Sequence, residues 1–155
     1  MNIAHSVTIR VFCGQEENRD EIVCGLKFLL PFDLDKEKIA INRQIAFGFN
    51  ERKIDIFEAS LTKSRHANAF LENFLQKISE QDKNVLLRQL DSRVDDESNF
   101  FVRLEKETLA KRNELLLTDS GNCYHIKIKV ACFPSTKESA IDTIRLLLGQ
   151  RMKNF

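Results

Sequence analysis

The sequence predicts an α+β fold, a mostly antiparallel sheet with helices on one face, in the order β-α-β-β-α-α-β-β-α. Three observations lead there. Apolar and polar residues alternate over several short runs, as they do in strands buried on one side. Between those runs lie apolar stripes at three- and four-residue spacing, as in helices packed along one face. Two of the alternating runs are joined only by a short turn containing Gly48 and Asn50, so that pair at least is antiparallel.

Ile3 to Cys13 is the first strand, with Val7, Ile9, Val11 and Cys13 on one face and Ser6, Thr8, Arg10 and Phe12 on the other. After a polar turn, Glu16 to Leu30 reads as a helix with the stripe Ile22, Val23, Leu26, Leu29 and Leu30, stopped by Pro31. Its acidic start suits the helix dipole. Lys38 to Phe47 alternates again, with Ile39, Ile41, Arg43, Ile45 and Phe47 sharing a face. Gly48 and Asn50 supply the turn, as residues that tolerate positive φ. Lys53 to Leu61 returns, with Ile54 and Ile56 opposite Phe57, Ala59 and Leu61.

Ser64 to Ser79 carries a continuous stripe of Ala67, Phe70, Leu71, Phe74, Leu75 and Ile78. A break at Glu80 to Asp82 separates it from a second helical run, Lys83 to Val94. Asp95 to Asn99 is a turn, and Asn99 to Lys106 a strand with Phe100, Val102 and Leu104 on one face and Phe101, Arg103 and Glu105 on the other. Glu107 to Asn113 fits either a loop or a helical turn. Cys123 to Phe133 is the last strand, with Tyr124, Ile126, Ile128 and Val130 inward and His125, Lys127 and Lys129 outward. Pro134 ends it, and Ser135 or Thr136 caps a final helix that Gly149 closes, leaving Gln150 to Phe155 to fray.

Composition bounds the rest. A chain of 155 residues makes one domain, residues 1–155, and buries about 70% of its unfolded surface without metal or disulfides. Hydrophobic residues make up 43%, and only two prolines and five glycines occur, which argues for regular elements. With 24 Lys and Arg against 23 Asp and Glu, the net charge excludes a strongly basic binder, so any nucleic-acid surface must be local. No apolar run is long enough to cross a membrane, and the start has no secretory pattern. The expected location is the cytoplasm. Cys13, Cys24, Cys123 and Cys132 form no C-x-x-C pair, so free thiols are expected, and a Cys13–Cys132 bridge would need the two strand ends to be neighbours.

No catalytic residue, metal site or cofactor is expected. His5, His66 and His125 have no partner at a motif spacing, and the glycines form no phosphate-cradling loop. Asp95, Asp96 and Glu97 are adjacent in a tight turn and do not converge on one ion. The basic residues form a more suggestive set. His125, Lys127 and Lys129 project from the outer face of one strand, Arg103 takes the polar face of another that Lys106 closes, and Lys111 and Arg112 follow in sequence. If the two strands pair, these cations line a surface beside Phe101 that could track phosphates, although Glu105, Glu107 and Glu114 lie in the same region.

The junction Arg93-Val94-Asp95-Asp96, followed by Phe101-Val102-Arg103-Leu104-Glu105-Lys106, resembles the central signature of an archaeal family of predicted RNA-binding, exosome-associated proteins. Its members carry a similar Arg-Val-Asp-Asp helix end and an Arg-Leu-Asp-Lys strand end. The opening strand His5 to Ile9 and the helix end Leu29-Leu30-Pro31 fit as well, and the resemblance runs from about Ala4 to Leu148. The chain departs from the pattern where Phe49 replaces a second hairpin glycine, where Glu105 replaces Asp, and where Leu109 to Asn113 lacks a glycine. The resemblance implies a fold likened to the double-stranded-RNA-binding domain and to the large-subunit ribosomal protein that binds the small ribosomal RNA. It implies RNA binding without catalysis, with exosome- or ribosome-related partners. The expected contacts are Arg93, Arg103, Lys106, Lys111, Arg112, Lys127 and Lys129, holding phosphates of a structured RNA read by shape. The alternative is a protein-interaction module of a larger cytoplasmic complex with no direct RNA contact.

Overall fold

The computed structural model describes residues 2–153, with side chains through Gly149. In chain order the elements are β1 (Ala4–Gly14), α1 (Arg19–Phe28), β2 (Ile41–Phe47), β3 (Lys53–Leu61), α2 (Ser64–Lys77), α3 (Glu80–Arg88), α4 (Leu90–Arg93), β4 (Asn99–Glu105), α5 (Lys106–Arg112), β5 (Cys123–Val130) and α6 (Lys137–Lys153). The five strands pair antiparallel throughout, in the order β2-β3-β1-β5-β4. The α+β class, the antiparallel sheet and the placement of helices on one face are as expected.

The alternation in β1 explains why the sheet has a covered and an open side. Val7, Ile9, Val11 and Cys13 are buried, while Arg10 and Phe12 are exposed. Registers carry the same division outwards. Val11 lies between Phe57 of β3 and Tyr124 of β5, and Ile9 between Ala59 and Ile126. On the covered side these residues meet the stripe of α2, where Ala67, Phe70, Leu71, Phe74 and Leu75 are all buried. α1 and α5 close one end of this layer, and α6 packs against α3, α4 and β4. The approach of α1 to its neighbours depends on Gly25: a Cβ there would lie 2.3 Å from Tyr124 Oη and 3.2 Å from the Ala110 Cα. The Tyr124 hydroxyl donates to the Ile22 carbonyl at 2.6 Å, which ties α1 to the sheet.

Several boundaries differ from expectation for local reasons. α1 begins at Arg19 rather than Glu16, because Asn18 accepts the Glu21 N–H and caps it, while Glu17 folds back to accept the Gly14 N–H. β2 begins at Ile41, since Lys38 takes a left-handed φ of 57°. In the hairpin turn Asn50 and Glu51, rather than Gly48, hold positive φ. The break after α2 falls at Ser79, whose hydroxyl accepts the Asp82 N–H and starts α3. The ambiguous stretch after β4 is helix α5, whose first residue is Lys106; the strand ends at Glu105. α6 runs through Gly149 to Lys153, because no glycine adopts the left-handed conformation that ends a helix. Asn154 and Phe155, in the tail expected to fray, lie outside the described residues.

All four cysteines are free. β5 stops at Val130, which pairs near the start of β1 across from Ala4, so Cys132 lies beyond the opposite end of β1 from Cys13.

Candidate nucleic-acid interface

The open side of the sheet is built from strand register. β4 and β5 do pair, and Arg103 stands opposite His125, which stands opposite Arg10 of β1. One row across three strands is therefore Arg10–His125–Arg103. In the next row Thr8, Lys127 and Phe101 are neighbours, and beyond it Ser6, Lys129 and Asn99. β1 and β5 contribute no carboxylate to these rows. Glu58 of β3 stands directly opposite Arg10 and continues its row, while Glu105 at the end of β4 and Asp119 beyond its edge lie at the margins.

The cations differ in how they are held. Arg103 is exposed and donates from Nη1 to the Asp119 carbonyl at 3.2 Å. Arg10 is tied to Glu58, with Nη2 to Oε2 at 2.7 Å and Nε to Oε2 at 2.8 Å. Lys129 donates to the Glu97 carbonyl. Lys127 is exposed and makes no hydrogen bond or ion pair among the described residues. The clustering has an electrostatic signature at His125. Burial, together with the charges of Arg103, Arg10 and Lys127, lowers its pKa below the ordinary histidine value. The imidazole is thus the neutral member of a positive row, and its ring lies 5.7 Å from that of Phe101, centroid to centroid, at 40°.

The outer edge of β4 is not bare. The Glu105 N–H donates to the Leu116 carbonyl at 2.8 Å, and the Thr118 N–H to the Arg103 carbonyl at 3.1 Å. On the other side the turn after α4 is pinned by Asp95. Its carboxylate accepts the N–H groups of Glu97 and Asn99 and the Asn99 side-chain amide, at 2.9–3.1 Å. These contacts bring Arg93 and Asp119 to the rim of the open face. Arg93 is itself largely enclosed, its side chain 11% exposed, with Nε on Gln89 Oε1 at 2.9 Å and Nη1 on the Phe101 carbonyl at 3.4 Å. It braces β4 more than it presents charge.

The expected contacts therefore divide. Arg103, Lys127 and Lys129 share the open face, with Arg93 at its rim. Lys106 is buried beneath the sheet end, and its ammonium is held by Glu17 at 3.1 and 3.3 Å. Two-residue alternation puts Lys106 on the covered side with Leu104, and there the chain turns into α5. Lys111 and Arg112 lie on α5, in the helical layer against α1, and Lys111 pairs with Glu107 at 3.1 Å. Arg10 was missed. Alternation put it on the solvent side of β1, but only the strand order shows that β1 borders β5. Asp95, Asp96 and Glu97 form a turn, and no group of three or more His, Cys, Asp or Glu suited to a metal occurs among the described residues.

The fold and site together define an α+β protein whose antiparallel sheet is packed on one face and basic on the other. Comparison places it further: residues 6–131 match the model of a family described as RNA binding, and the chain belongs to that family. It is 26% identical to an RNA-binding protein of Pyrococcus abyssi, over 92% of both chains. An uncharacterised protein of Methanocaldococcus jannaschii is 24% identical, over 90% of this chain and 94% of its own. The crystal structure of a DUF54 protein from Archaeglobus fulgidus superposes with a TM-score of 0.79 at 26% identity, covering 94% of this chain and 99% of that one.

Proposed function

We propose that this protein binds RNA through the open face of its sheet and has no catalytic activity of its own. The observation that supports this most is the row Arg10–His125–Arg103 with Lys127 beside it, free of carboxylates on the two central strands. Phosphates are spaced along a backbone and suit cations spread over a sheet better than a single deep pocket. The contact set is Arg10, Arg103, Lys127 and Lys129, with Arg93 as a brace. Lys106, Lys111 and Arg112 are left out of it.

A protein partner is the second reading, and one observation favours it. The β2–β3 hairpin exposes Ile45, Phe47 and Phe49, at 50%, 72% and 96%. A neighbour in an exosome- or ribosome-related RNA assembly, in the cytoplasm, could dock there while RNA occupies the sheet. The two surfaces are separate, so this reading adds to the first.

The test is anisotropy titration of a labelled structured RNA at low salt. The double variant Arg103→Ala/Lys127→Ala is expected to weaken binding at least tenfold, whereas Lys111→Ala/Arg112→Ala stays within about twofold of the parent. Equal losses in both variants would contradict the assignment of the face.

A further inference from the structure

At the outer half of the open face, between β4, β5 and the end of α4, lies a depression of about 460 Å³. Its floor is aromatic, the Phe101 and His125 rings meeting at an angle. Arg103 stands on its wall, and Lys127 is the cross-strand neighbour of Phe101. Its rim carries Gln89, Ser92 and the Asp119 carboxylate. Cations that only tracked a duplex would need neither a hollow nor rings. The volume falls within the range of small-ligand clefts, roughly 300–1,000 Å³.

These components match the parts of one nucleotide. A base has an apolar face that stacks on aromatic rings, a worth that depends little on its identity. Its edge carries donors and acceptors that hydroxyl, amide and carboxylate groups can meet, and its phosphate needs a cation within reach. Arg93, bonded to the Phe101 carbonyl and to Gln89, fixes the strand edge on which the rings sit. A paired base inside a duplex cannot offer its face to a sheet. Only a base at a bulge, loop or strand end can.

We propose that this depression is a binding site for one unpaired nucleotide of RNA, its base on Phe101 and His125 and its phosphate on Arg103 and Lys127. The proposal rests on the RNA-binding reading and narrows it. The preferred RNA is one with an unpaired residue beside a stem rather than a continuous duplex.

Two hairpin RNAs of the same stem test it, one continuous and one with a single bulged 2-aminopurine. The bulged RNA is expected to bind about tenfold tighter, in line with one stacked base, and its emission to be quenched on binding. Phe101→Leu, which keeps an apolar side chain but no ring, should abolish both the preference and the quenching. Phe101→Tyr should keep both. Equal affinity for the two RNAs, or unquenched emission in the complex, overturns this inference and leaves the proposed function standing. Failure of both RNAs to bind at low salt overturns both.

Discussion

Lys106 and Arg103 sit three residues apart where β4 passes into α5, yet their physics differs. Arg103 keeps its guanidinium in water, where it can exchange solvent for phosphate. Lys106 is buried and already neutralised by Glu17. Glu17 is exposed to water while the Lys106 ammonium is buried, so removing Glu17 leaves that ammonium without its carboxylate at the solvent boundary. Glu17→Ala is therefore expected to destabilise the fold by roughly 1–2 kcal/mol, and Lys106→Met by less, since an apolar chain fills the same space. Urea unfolding at pH 7 measures both. Neither change should alter RNA affinity in protein that remains folded. Gly25 is a second residue whose role is steric. Gly25→Ala drives a methyl into Tyr124 Oη and the backbone at Ala110, and is expected to cost about 1–3 kcal/mol by the same assay.

At the scale of elements, the turn from α4 to β4 sets the height of the open face's outer strand. Burial opposes ionisation of Asp95, but hydrogen bonds from Asn99 and Glu97 outweigh it and hold the carboxyl below the ordinary carboxylate range. A depressed folded-state pKa contributes stability that is present above the unfolded value and is lost as pH falls through the folded one. The protein is thus expected to lose stability below about pH 4, and Asp95→Asn to flatten that acid limb in thermal melts taken from pH 6 to pH 3. The elements themselves were largely legible in the sequence. The stripe from Ala67 to Ile78 and the alternation from Val7 to Cys13 each describe a surface that must be buried, and burial is what the chain obeys. Boundaries were less legible where a single side chain chose them. Asn18 and Ser79 each compete with neighbouring residues to cap a helix, and Glu105 gives way to α5 without a turn residue to announce it.

At the scale of the molecule, function depends on which strands are neighbours. Alternation assigned Arg10, Arg103 and Lys127 to solvent, but Arg10 and Arg103 are more than ninety residues apart in sequence, and nothing local says that β5 separates their strands. For the same reason Lys111 and Arg112 looked continuous with the site, when α5 carries them into the helical layer. The near-zero net charge hides a local asymmetry: β1, β4 and β5 carry Arg10, Arg103, Lys127 and Lys129 against the single carboxylate of Glu105. That asymmetry can be measured through the ions RNA binding releases. If Arg10, Arg103, Lys127 and Lys129 each neutralise a phosphate, the logarithm of the binding constant should fall with the logarithm of salt with a slope of about −3 to −4. Arg103→Ala should reduce the slope by about one. The central claim is tested most directly by that titration on the parent protein and on Arg103→Ala, with a stem carrying one bulged nucleotide as the probe. A slope near −3 to −4 that shrinks by about one in the variant is the expected result. A salt-independent affinity, or a slope untouched by Arg103→Ala, would contradict the account.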